Sequence, residues 1–127
     1  EIDLLMIDGE HANPAPVVDL ISLLYALKPN AWVLLHDIEL EHIDNGEHDD
    51  DGRHSGAGRL FRGWPFEKLQ LMGELPHDRN IGAIQMPETP HDALPVLLEM
   101  LTGPWESDSK GVRLAQAARA ILDAHHE

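Results

Sequence analysis

The chain opens on an apolar run, Ile2, Leu4, Leu5, Met6 and Ile7, broken only by Asp3. A strand covered on both faces of a parallel sheet has this pattern. The run ends at Asp8-Gly9, and Asn13-Pro14 starts the next element. Val17, Val18, Leu20, Ile21, Leu24 and Leu27 then follow helical spacing. Lys28-Pro29-Asn30 predicts the end of that helix, with Lys28 set against the negative end of its dipole. Ala31 to Leu35 is a second apolar strand, ending at His36-Asp37. A strand, helix and strand joined by a crossover of this length make the two strands parallel.

Downstream, residues 39–56 read as an acidic loop, by charge and by Gly46, Gly52 and Gly56. Ala57 to Gly63 suits a short helix. Alternation from Phe66 to Met72 predicts a strand, and Asn80 to Met86 predicts another with Gly82 inside it. The short linker between them contains Pro76, which predicts an antiparallel hairpin. Thr89-Pro90-His91-Asp92 starts a helix with Thr89 as its cap, proline in the first turn and an acid three residues on. That helix runs to about Thr102 and stops at Gly103-Pro104; Lys110 to His125 is a final amphipathic helix. The expected class is α/β: parallel strands at 2–7 and 31–35, a hairpin at 66–72 and 80–86, flanking helices, and helices throughout 89–127. Glu1 stands directly before a core-type strand, so more of the sheet is expected upstream.

Charge and composition narrow the functions. The net charge is −14, and such a field repels phosphate backbones and anionic lipid, so neither nucleic acid nor membrane is expected as a partner. Hydrophobic residues make up 43% of the chain, enough for a core. Cysteine is absent, which excludes disulfides, thiolate metal sites and a cysteine nucleophile. No apolar run reaches the roughly 18 residues of a membrane span, and a cytoplasmic location is the default expectation. The acidic stretch from Glu39 to Asp51 holds no lysine or arginine; it reads as a solvated loop or as a metal-binding one.

Chemistry gathers at the two parallel strand ends: Asp8-Gly9-Glu10-His11 after the first and His36-Asp37 after the second. Ligands of open α/β sheets bind outside these ends, and neighbouring strands lie about 4.8 Å apart, so terminal side chains can converge on one ion. Carboxylates with one imidazole suit magnesium, manganese or calcium better than zinc. The plainer alternative is that Asp8 caps a turn and His36 is a structural imidazole. Trp32 is expected in the core. Trp64 either packs or lines a substrate pocket. Arg59 and Arg62 either pair with the acidic loop or face a substrate anion.

The stretch IDLLMIDGEHANPAPVVDLISLLYALKPNAWVLLHDI, residues 2 to 38, resembles the fourth and fifth strands of class I S-adenosylmethionine-dependent methyltransferases. The likeness is to the small-molecule O-methyltransferase group with DGDH and HD strand-end motifs. GAGRLF and the hairpin of Phe66 to Met86 are similar to later parts of that group. The resemblance implies a Rossmann-like methyltransferase sheet, with residues 1–127 as its C-terminal part and the glycine-rich donor-binding half upstream. It implies S-adenosylmethionine as methyl donor, with Asp8 and Gly9 bordering it. It further implies a divalent metal, magnesium or manganese, at Asp8, His36 and Asp37, and His11 as general base toward a hydroxylated small-molecule acceptor. A homo-oligomer is compatible with all of this.

The chain departs from that group at three places. His36 replaces a carboxylate common in metal-dependent relatives; LKPNAW replaces LKPGGW, which requires Asn30 to take the left-handed conformation; and DGEHANP lacks the usual tyrosine. Two alternatives stand beside the enzyme: a non-catalytic methyltransferase-like module that binds metal or a partner, and a hydrolase using Asp8, His11 and His36. No serine nucleophile elbow supports the hydrolase.

Overall fold

The computed structural model describes residues 1–9, 13–39, 56–74 and 80–101, with residues 116, 119–121, 123 and 124. Four strands form one mixed sheet: β1 (Ile2–Ile7), β2 (Leu27–His36), β3 (Lys68–Gln70) and β4 (Ile81–Gln85), in the order β1-β2-β4-β3. β1 and β2 are parallel; β4 runs antiparallel to both β2 and β3. The expected strand-helix-strand unit and hairpin are therefore present. The hairpin enters the sheet through its second strand, with β3 outermost.

Helix α1 (Ala15–Leu23) makes the crossover and tightens into a 3-10 turn at Leu24–Ala26. The helix ends earlier than its spacing predicts, because Lys28 precedes a proline and is pushed toward extended backbone. Leu27, expected on the helix, instead opens β2 and pairs with Ile2. Lys28-Pro29-Asn30 lies inside the strand and forms an irregularity between the pairs Ile2–Leu27 and Leu4–Trp32. Asn30 has φ 61°, the left-handed conformation that its replacement of glycine demands. Lys28 forms an exposed ion pair with Asp3, Nζ to Oδ1 3.2 Å, in place of meeting a helix dipole.

Helix α2 (Gly56–Gly63) and α3 (Leu94–Met100) pack with α1 over one face of the sheet. Val17, Leu20 and Ile21 of α1 meet Val33 and Leu35 of β2, Ile84 of β4, Leu60 and Phe61 of α2, and Leu97 of α3. Each fully buried leucine or isoleucine contributes roughly 1.5–3 kcal/mol. The α3 segment begins with a 3-10 turn, Pro90–Ala93, and Thr89 makes no side-chain capping bond, contrary to its expected role. The hairpin strands are shorter than 66–72 and 80–86. Their pairing nonetheless extends past the strand ends, with Leu71 N donating to Ile81 O at 3.0 Å and Gln85 N to Glu67 O at 2.9 Å.

The second face of the sheet is uncovered among the described residues. Register places Leu4 and Met6 beside Trp32 and Leu34, and Ala83 beside Leu69. Leu4 is 61% exposed, Met6 56% and Leu69 59%. Among the described residues β1 is thus covered on one face, where its apolar run predicts two. Trp32 also belongs to this face and is half-buried, not core. No described helix is long and apolar enough to cross a membrane. Residues 40–55, most of the acidic loop, lie outside the described residues, as do Trp105 and most of the final helix; Gln116, Arg119, Ala120, Ile121, Asp123 and Ala124 are helical.

Candidate functional site at the ends of β1 and β2

Parallel pairing with Ile7 opposite Leu35 brings the residues that follow the two strands side by side. Asp8, His36 and Asp37 meet there, each offering a ligand atom, and these atoms all lie within 4.8 Å of one another. His36 Nδ1 is 3.2 Å from Asp8 Oδ1 and 3.1 Å from Asp37 Oδ1. The Nδ1 atom is buried, yet it is aligned with neither carboxylate for a hydrogen bond. Two carboxylate oxygens and an imidazole nitrogen this close together are a donor set of the kind that could hold a divalent cation.

Asp37 adopts φ 64°, a conformation rare outside glycine though several-fold commoner for Asp and Asn. A buried amide holds the turn that contains it. Asn80 Nδ2 donates to Asp37 Oδ1 at 2.9 Å, and Glu39 N donates to Asn80 Oδ1 at 3.0 Å. Ile38 N donates to the Asn80 carbonyl at 3.3 Å. Arg62 Nη1 reaches the Ile38 carbonyl at 3.3 Å, and Gln70 Nε2 donates to Glu39 Oε1 at 2.9 Å. Arg62, for which the sequence left two roles open, thus braces this turn from α2.

Gly9 is not part of the three-residue group. With Asp8, Asp19 and Ser22 it lines the polar end of a groove of about 520 Å³ between β1 and α1, whose wall is the apolar side of β1. Asp19 is exposed as a residue, but the groove withdraws its carboxyl from water enough to raise its pKa above the ordinary value. Glu10 and His11 lie outside the described residues. Trp64 resolves toward packing: it is 2% exposed, its Nε1 donates to Gln85 O at 3.1 Å, and its ring meets Phe66 edge-on at 5.3 Å.

Sequence reading missed Asn80 and Asp19. Asn80 sits 43 residues from Asp37, and no local pattern marks an asparagine before a strand as partner to a distant turn. Asp19 occupies the polar stripe of an amphipathic helix, where exposure is the ordinary expectation.

No curated protein and no solved structure matches the chain. Residues 1–38 match the model of a family described as a methyltransferase domain, a stretch that runs from β1 to just past β2 and carries Asp8, His36 and Asp37; over this part the chain is similar to a methyltransferase domain.

Proposed function

We propose that this protein is an S-adenosylmethionine-dependent O-methyltransferase that acts on a hydroxylated small molecule with the help of a divalent metal, magnesium or manganese. The observation that carries the reading is the convergence of Asp8, His36 and Asp37 inside the stretch similar to a methyltransferase domain. A cation held by Asp8, His36 and Asp37 would lower the pKa of an acceptor hydroxyl. Asp8 and Gly9 border the donor, in keeping with their place on the groove beside β1. His11, three residues beyond Asp8, takes the hydroxyl proton as general base. S-adenosylmethionine bound beside Asp8 and Gly9 would supply the methyl group, its carbon–sulfur bond breaking as the acceptor oxygen bonds to the methyl carbon, and alignment of the three atoms would supply the remaining acceleration. In this reading the chain is the C-terminal part of one Rossmann-like domain. The edge of β1, unpaired among the described residues, and the exposed Leu4, Met6 and Leu69 support a further packed layer of strands and helices.

The test pairs two measurements on full-length protein. Titration with Mn²⁺, followed by electron paramagnetic resonance, is expected to show one ion per chain. Asp37→Asn should weaken it about tenfold or more, a loss at the lower end of what disturbing a metal site costs. Transfer of isotopically labelled methyl from S-adenosylmethionine to a panel of vicinal diols and phenols is expected to require the same ion. Methyl transfer unaffected by chelator removes the metal from the reading. A second reading, a non-catalytic methyltransferase-like module, draws on the same exposed apolar face; absence of any donor binding by the full-length protein would favour it.

A further inference from the structure

We infer that Asn80 is a positioning residue for the strand-end site, presetting the Asp37 carboxylate against His36 and Asp8. Both ends of its side-chain amide are engaged in the turn after β2. Nδ2 donates to Asp37 Oδ1 at 2.9 Å, and Oδ1 accepts from Glu39 N at 3.0 Å. The Asn80 backbone carbonyl accepts from Ile38 N at 3.3 Å. Three consecutive residues, Asp37, Ile38 and Glu39, are thus tied to one residue of the β4 segment.

The physical need is specific. The left-handed backbone of Asp37 is disfavoured for a residue with a β-carbon and persists only where its surroundings hold it. Asn80 is 8% exposed, so its amide makes these bonds away from water, where an unmatched polar group costs most. Asp37 Oδ1 faces both Asn80 Nδ2 and His36 Nδ1, at 2.9 and 3.1 Å. The amide therefore sets the direction in which that carboxylate points. Asn80→Ala removes both the donor to Asp37 and the acceptor for Glu39 N.

The role in the turn stands by itself; its consequence for a cation rests on the metal reading proposed above. Hydrogen exchange in the full chain tests the first part. In Asn80→Ala the Glu39 amide should lose about tenfold or more of its protection relative to the sheet amides of Val33 and Ile84, the fold-change of a lost buried hydrogen bond. The ratio to the sheet amides separates a local clamp from general loosening. Undiminished relative protection of Glu39 in Asn80→Ala overturns the inference.

Mn²⁺ titration tests the second part. If the parent binds the ion, Asn80→Ala should weaken it about tenfold while the sheet amides keep their protection. Equal affinity in parent and variant overturns the positioning role. If the parent binds no Mn²⁺, the metal reading falls, and the clamp is decided by the exchange ratio alone.

Discussion

Gly82 faces Phe61 of α2 at close approach, and Gly82→Ala should be destabilising. A β-carbon there would lie 2.6 and 2.8 Å from Phe61 Cδ2 and Cε2, and 3.0 Å from Ile38 Cδ1. Resting carbon atoms sit about 3.5–4.0 Å apart, so the ring must retreat by roughly 1 Å. Its freedom to do so is small. Lys68 Nζ donates to the Phe61 carbonyl at 3.0 Å and stands 5.3 Å from the ring centroid, while α2 packs against α1 on its other side. Overpacking of this kind costs about 1–3 kcal/mol. Restriction of the unfolded chain on replacing glycine offsets about 0.4–1 kcal/mol. The net expectation is a loss of about 1–2 kcal/mol. Urea unfolding followed by circular dichroism and tryptophan fluorescence measures it, with an unchanged m-value. Phe61→Leu makes room at a cost of its own, and the double variant should be less destabilised than the sum by about 0.5 kcal/mol or more. Because Ile38 adjoins Asp37, the single variant should also disturb the strand-end turn. A Gly82→Ala protein as stable as its parent to within about 0.3–0.5 kcal/mol, the ordinary error of additivity, would refute the close packing of Phe61 on β4.

Three further outcomes are expected. Trp64→Phe removes the bond to Gln85 O and opens a void beneath Phe66; a loss of about 1–3 kcal/mol is expected by denaturation, and a changed acceptor KM without that loss would mean that Trp64 touches substrate. Burial raises the Asp19 pKa, so the folded state binds its proton more readily than the unfolded one and stability falls as pH rises from the unfolded value through the raised folded value. Asn at position 19 should therefore gain stability over the parent at neutral pH and lose the advantage below about pH 3, where both states are protonated; an Asp19→Asn protein that is less stable at pH 7 contradicts the raised pKa. His11→Ala and His11→Gln in the full-length protein should each lower turnover at least about a hundredfold with donor affinity unchanged, and near-normal turnover in both excludes His11 as the base.

Local signals were sufficient for the outline of the described strands and helices and for the nearness of Asp8, His36 and Asp37. The apolar runs at 2–7 and 31–35, separated by one helical stretch, imply parallel neighbours, and that pairing alone carries Asp8 to His36 and Asp37. Asn30 was legible too, because its left-handed φ answers the same steric demand that glycine usually meets. Other features depend on partners far away in the chain. An apolar run does not say whether one face or two will be covered; Leu4 and Met6 are exposed because every described helix packs on the other side. A lysine that precedes a proline marks extended backbone but not its partner, so Leu27 entering β2 opposite Ile2 emerged only from the ladder. The hairpin was readable, its order in the sheet was not, since pairing with β2 is a nonlocal contact between residues about 50 positions apart. The same holds for Asn80, Gln70 and Arg62, which converge on one turn from β4, β3 and α2. Hydrophobic period and chain stiffness act over a few residues and are written in the sequence. Hydrogen bonds among distant buried polar groups form only when the packed sheet and helices have brought them within reach, and there the tertiary structure decides.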